Sequence, residues 1–152
     1  MNLKQLDIRD QRVQQFLWEH IEPADVRWDY TKLDAMKLLE VQVYDGTVQL
    51  WGDLDVGLVF KTVQRNTKVI EPHIMGNALY FRSAMEQGVA LAWKLGYEKV
   101  AIWTQHEKIV RIVAKCGFSL EARIPKIHQG PSGELLDVYV LTKEKDGCAT
   151  TC

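Results

Sequence analysis

The sequence predicts an α+β domain: a mixed, mostly antiparallel central sheet with helices on both faces. Three observations carry that expectation. Strand-like segments dominate residues 41–75, and two helical periodicities with glycine stops follow at 79–95 and 107–116. Two more strand segments close the chain around Ser119–Pro125 and Leu136–Thr142. A strand–helix–strand–helix–strand–strand order after a meander is an α+β sheet layered with helices.

Taken in order, residues 2–8 (NLKQLDI) predict a short first strand. Asp10 stands where an N-cap would, ahead of a helix with Val13, Phe16, Leu17 and His20 along one side. Glu22-Pro23 ends that helix, because the residue before proline is pushed out of the α region. The stretch 24–40 is ambiguous, with a second helix possible from Thr31 to Leu39. Val41–Tyr44 and Val48–Trp51 flank Asp45-Gly46, a pair that favours a tight hairpin turn. Strands at Val56–Val63 and Val69–Met75 follow, with Arg65-Asn66 as a second hairpin signal.

Beyond them, Leu79, Phe81, Met85, Val89, Ala92 and Trp93 recur at helical spacing, and Gly96 closes that helix as a C′ residue would. Lys99–Thr104 is a strand with Val100 and Ile102 on one side, and Gly117 stops the helix of 107–116. Because helix 79–95 crosses over between them, strands 68–75 and 99–104 must be parallel if they share a sheet; they are expected to splay apart.

At 152 residues the chain is one domain's worth, read as a domain over 1–145 and a flexible tail over 146–152. Nineteen basic and twenty acidic residues leave a net charge of −1, without the basic face of a nucleic-acid binder, so no nucleic-acid partner is expected. No apolar run reaches the ~20 residues of a membrane-spanning segment, and the N-terminus lacks a secretory h-region. Cys116, Cys148 and Cys152 form no disulfide framework, so the cytoplasm is the expected location. Cys148-Ala-Thr-Thr-Cys152 lacks the histidine or second cysteine pair of a zinc site, and no metal is expected. Cys116 reads as a buried helix residue with no base beside it. Trp51, Trp93 and Trp103 read as core, and Trp18 and Trp28 as an exposed contact surface.

Leu95-Gly-Tyr97, Val100-Ala-Ile-Trp-Thr104 and Lys115-Cys-Gly-Phe118-Ser-Leu-Glu121 together resemble the C-terminal half of the GNAT acetyltransferase family. The likeness covers about residues 68–142; the first 67 agree only in element order. It implies a GNAT-like fold and an acyl-CoA site at a Q/R-x-x-G-x-G/A loop, where backbone N–H groups at a helix N-terminus hold a pyrophosphate. The corresponding stretch here is Met75-Gly76-Asn77-Ala78-Leu79-Tyr80-Phe81-Arg82, shorter and with one glycine. Gly76, Asn77 and Arg82 are the candidate cofactor-binding residues.

A family tyrosine often used as general acid is replaced by Val113, and His106, Glu107 and Lys108 stand where an asparagine is frequent. Glu71 and His73, two apart on the central strand and so on one face, are the candidate catalytic residues. Related acetyltransferases place a general base there. A histidine titrates near neutrality, and a nearby glutamate raises its basicity. Pro72 between them hints at a bulge or an edge.

The Ile70-Glu-Pro-His-Ile74 strand, the shortened loop, the Gly-Phe turn and Asp137-Val-Tyr-Val-Leu-Thr-Lys143 also look like GNAT-like proteins of tailed bacteriophages, described as head-assembly or internal virion proteins. That resemblance implies a non-catalytic assembly role with a protein partner, in host cytoplasm or virion, with no cofactor expected. The alternative is an active acetyl-CoA-dependent N-acetyltransferase in which Glu71 or His73 deprotonates the amine. A third reading keeps acyl-CoA bound without turnover.

Overall fold

The structure of the protein, a computed structural model, describes residues 1–146; the pair Cys148/Cys152 and most of the expected tail lie outside these. The elements are β1 (Lys4–Gln5), α1 (Gln11–His20), α2 (Pro23–Val26), α3 (Lys32–Tyr44), β2 (Val48–Asp53), β3 (Leu58–Gln64), β4 (Val69–Gly76), α4 (Phe81–Lys94), β5 (Lys99–Thr104), α5 (Glu107–Lys115), β6 (Ser119–Gln129) and β7 (Leu135–Glu144), with a 3-10 turn at Ala78–Tyr80 before α4. Among the described residues seven strands form one sheet in the order β1-β2-β3-β4-β5-β7-β6.

Every neighbouring pair in the sheet is antiparallel except β4 and β5. Those two run parallel and pair only at Val69↔Lys99 and Ile70↔Val100, after which they part, as the sequence predicts. Among the described residues no helix is long and apolar enough to cross a membrane.

Two layers of side chains cover the sheet. On one face Val13 and Leu17 of α1 and Ala35, Met36 and Leu39 of α3 pack with Val48, Leu50 and Val59. On the other, Met85, Val89 and Ala92 of α4 and Val113 of α5 pack with Ile70, Val100, Ile102, Phe118 and Leu141. Strand alternation on β4 divides its residues between the layers. Ile70 and Ile74 join the α4 side, and Met75 joins the α1–α3 side.

The N-terminal half departs from expectation most at the end of α3. Val41–Tyr44 is the last turn of α3 and not a strand. Thr31 and Asp34 form a reciprocal capping box that starts the helix, and the helix runs on until Gly46, whose φ of +83° supplies the left-handed C′ conformation. Asp45-Gly46 is thus a helix stop. Pro23 does end α1 but also opens the short α2 at its first turn. The first strand shrinks to two residues, and β6 and β7 extend further than expected, with irregular register between Ile124 and His128.

Of the tryptophans, Trp51 and Trp93 pack partly buried against apolar clusters. Trp103 is 44% exposed and not core. Trp18 and Trp28 are exposed, as expected. Cys116 is the half-buried C-cap of α5, with its carbonyl accepting from Lys143 Nζ at 3.1 Å.

Gly117, at φ +87°, turns the chain out of α5 and drops Phe118 into the core, where it is 5% exposed. Truncating it removes a ring from a close-packed layer. Phe118→Ala is therefore expected to cost ~3–5 kcal/mol in a denaturant titration; a loss below about 1 kcal/mol would show that the turn does not anchor the second layer.

Candidate functional site

The opening between β4 and β5 begins where their ladder stops, and Glu71 is the next residue along β4. Past Ile70 the pairing of β4 with β3 continues while that with β5 does not. Pro72 sits in this one-sided stretch, where a residue without a ladder donor is tolerated. Glu71 and His73 alternate with Ile70 and Ile74, so both face the α1–α3 side together with Met75.

The Glu71 side chain is 2% exposed and both of its oxygens are engaged. Oε2 accepts from Nε and Nη2 of Arg65, and Oε1 lies 2.8 Å from Nε2 of His73. Burial alone pushes the Glu71 carboxyl up. The hydrogen bond and charge of His73, then those of Arg65, outweigh it and hold the carboxyl below the usual carboxylate range.

An ionised carboxylate can only accept, so Nε2 of His73 carries the hydrogen of that contact. In the neutral ring Nδ1 is then a bare lone pair, and among the described residues nothing donates to it. His73 is 37% exposed, enough for a ligand to reach it. Glu71, sealed between the Arg65 guanidinium and the His73 ring, orients that ring and is almost fully buried. The sequence pairs these two as alternative bases; in the structure Glu71 is sealed and His73 is accessible.

Arg65 comes from the β3–β4 turn, which the Asn66 side chain closes by accepting from the amides of Lys68 and Val69. Its guanidinium lies 5.7 Å from the centroid of the Trp103 ring on β5. This accounts for the exposure of Trp103: the ring is a platform for Arg65 across the opening. Lys61 stands opposite His73 in the β3–β4 register. Burial pulls the Lys61 ammonium below the usual lysine value, against the attraction of Glu71 and Asp25 and with the help of repulsion from Arg65. Asp25 of α2 closes this side, accepting from Gln105 Nε2 at 2.6 Å and lying 3.7 Å from His106 Nε2. Sequence spacing offers no signal for Lys61, Trp103 or Asp25, because strand register places the first two and the packing of α2 places the third.

The candidate cofactor residues take these positions. Gly76 ends β4 at φ +113°, and any Cβ there would collide with the carbonyl oxygen of Gly57. The Asn77 amide donates to that same carbonyl at 2.9 Å. The Asn77 side chain accepts from the Leu79 amide at 3.1 Å, and its backbone carbonyl accepts from the Tyr80 amide at 3.2 Å. Three amides of the stretch thus already have acceptors. The first turn of α4 has neither a side-chain cap nor an acidic residue, and Arg82 within it makes one exposed contact with Glu86 at 3.4 Å.

Val113 is fully buried, and the Tyr139 hydroxyl, on the α5 face, donates to Glu107 at 3.1 Å. A small cavity of about 30 Å³ under α4, lined by Phe60, Ile70, Pro72 and Leu91 among others, lies on the opposite face from Glu71. It has no titratable lining and no part in this chemistry. Among the described residues no group of three or more His, Cys, Asp or Glu side chains could hold a metal ion.

The sequence matches no family model and no curated protein. Solved structures do match along nearly the whole chain. Spermidine N-acetyltransferase SpeG from Vibrio cholerae, in complex with CoA and spermine, superposes with a TM-score of 0.71 at 14% identity over 94% of each chain. A dodecameric structure of the same enzyme gives 0.69 at 15% identity, over 94% of this chain and 92% of that one. A candidate phosphinothricin N-acetyltransferase gives 0.69 at 16% identity, over 94% and 97%. The chain has the GNAT fold. At these identities the likeness establishes architecture, and the chemistry has to be read from the chain's own residues.

Because the Glu71 carboxyl is depressed in the fold, it stabilises fully above its ordinary value of 4.5, and that contribution is lost as pH falls through the folded value. Urea unfolding from about pH 6 to about pH 3 is expected to show wild type losing stability more steeply than Glu71→Gln, so that the two converge in acid. Parallel curves would mean that the fold does not depress the Glu71 carboxyl.

Proposed function

We propose that the protein is an acyl-CoA-dependent N-acyltransferase of the GNAT type, in which His73 is the proton acceptor and Glu71 its positioning residue. The observation that carries this is the bare Nδ1 of a half-exposed histidine, oriented by a sealed carboxylate at the opening of β4 and β5. A base must lie within hydrogen-bond reach of the proton it takes and be matched to the working pH. His73, hydrogen-bonded through its other nitrogen to a carboxylate, presents Nδ1 for the first of these.

As the acceptor amine forms its bond to the acyl carbon, Nδ1 takes the amine proton, the thioester C–S bond breaks and the CoA thiolate would leave to take a proton from solvent, and the Glu71 carboxylate offsets the charge developing on the ring. Acyl-CoA would supply the activated acyl group, with the uncapped first turn of α4 and Arg82 as the groups able to meet its phosphates. Spermidine, the substrate named for SpeG, is a polycation, and Lys61 and Arg65 oppose a polycation on this face. A smaller acceptor is the better match.

A second reading is a non-catalytic assembly role with a protein partner, as in the phage proteins the sequence resembles. It is favoured by the amides of Asn77, Leu79 and Tyr80 being already bonded and by the exposed Trp18 and Trp28.

Calorimetry with acetyl-CoA separates the two. Saturable binding weakened by Arg82→Ala, with acyl transfer reduced ~10²–10⁴-fold by His73→Ala, is the expected result. No heat of binding and no transfer to any amine would remove the enzyme reading and leave the assembly role.

A further inference from the structure

The charges on the α1–α3 face of β3 and β4 pair off with one exception. Arg65 and His73 both bind Glu71. Asp25 is engaged by Gln105 and lies within ion-pair distance of His106. Lys61 alone has no hydrogen bond or ion pair among the described residues, although it is only partly exposed and surrounded by the strand pair. An ammonium drawn out of water with the carboxylates of Glu71 and Asp25 near but none in direct contact costs free energy, which an incoming anion restores. Its place is equally specific. Lys61 is the direct cross-strand partner of His73, and side chains so paired have Cβ atoms about 4.5–5.5 Å apart on one face. A lysine stem reaches readily over that distance, so its ammonium and the His73 ring can meet two neighbouring groups of one small molecule.

We propose that Lys61 and His73 form a subsite for a primary amine carrying a carboxylate on the adjacent carbon, that is, an α-amino acid, with the carboxylate on the Lys61 ammonium and the amine at Nδ1 of His73. The identity of the two partners fixes the orientation. His73, with Nε2 committed to Glu71, presents an acceptor and takes the amine; Lys61 presents only donors and takes the carboxylate. The Glu71 charge does not repel the carboxylate strongly, because Arg65 and His73 already cover both of its oxygens. The lowered proton affinity of Lys61 agrees with a cation awaiting its counter-charge.

This subsite rests on reading that face as the acceptor side of the proposed transferase, and the test keeps the two apart by measuring binding without acyl donor. The full chain is titrated calorimetrically with matched pairs that differ only by the carboxylate: glycine and methylamine, leucine and isopentylamine, phenylalanine and phenethylamine. In at least one pair the amino acid is expected to bind about tenfold or more tightly than its amine. Lys61→Met is expected to bring the two to the same affinity, and Lys61→Arg to restore the preference. Equal affinities within every pair, a preference that survives Lys61→Met, or no amino acid binding at all would each overturn the subsite. Carboxylate preference without transfer from acetyl-CoA would keep the subsite and remove the transferase. Transfer to amines with no such preference would do the reverse.

Discussion

The parting of β4 from β5 after two residue pairs is the constraint on which the rest of the structure depends. Parallel strands need a crossover, and α4 provides it while packing Met85, Val89 and Ala92 onto the far side of the sheet. Once the strands separate, backbone that would be sealed by a ladder is opened, and polar side chains can stand there without breaking a sheet. Glu71 occupies the first position after the break. A buried carboxylate is stable there because Arg65 and His73 cover it, and removal of either partner would leave a desolvated charge. Arg65 in turn rests on Trp103 of β5, so a single guanidinium links the turn, β4 and the strand across the gap.

The stretch that follows β4 is built by a different compromise. Gly76 uses its left-handed conformation to let the chain press against Gly57, and Asn77 closes a 3-10 turn with its own backbone and side chain. Local order is gained by committing the amides of Asn77, Leu79 and Tyr80 to acceptors within the chain. What stays available is the start of α4, with its uncapped first turn and Arg82. The strand β4 and the stretch that follows it thus differ in how they are furnished: one carries an oriented histidine, the other an uncapped helix start whose preceding amides are already bonded.

Much of this fold is legible in the sequence because its signals are local. Gly96 and Gly117 mark helix ends through a conformation that glycine supplies, and the crossover helix dictates the parallel pair. Asp45-Gly46 misleads for a physical reason: the same dipeptide suits a tight hairpin and a helix C′ position. The capping box at Thr31 and Asp34, fourteen residues upstream of Asp45 at its start, decides between them. At the site, period-two alternation brings Glu71 and His73 to one face and makes them visible together. Their different surroundings are not visible, since these depend on Arg65 and on which nitrogen faces the carboxylate. Lys61 is hidden for the same reason: its closeness to His73 is a matter of register across a hairpin.

The ring of His73 is where the account meets experiment most directly. Nitrogen NMR of the full chain, with the imidazole signals assigned by comparison with His73→Ala, reads which ring nitrogen carries the proton. The account predicts a neutral ring protonated at Nε2 and bare at Nδ1, with that preference weakened in Glu71→Gln. A neutral ring protonated at Nδ1, or a tautomer indifferent to Glu71→Gln, would contradict it.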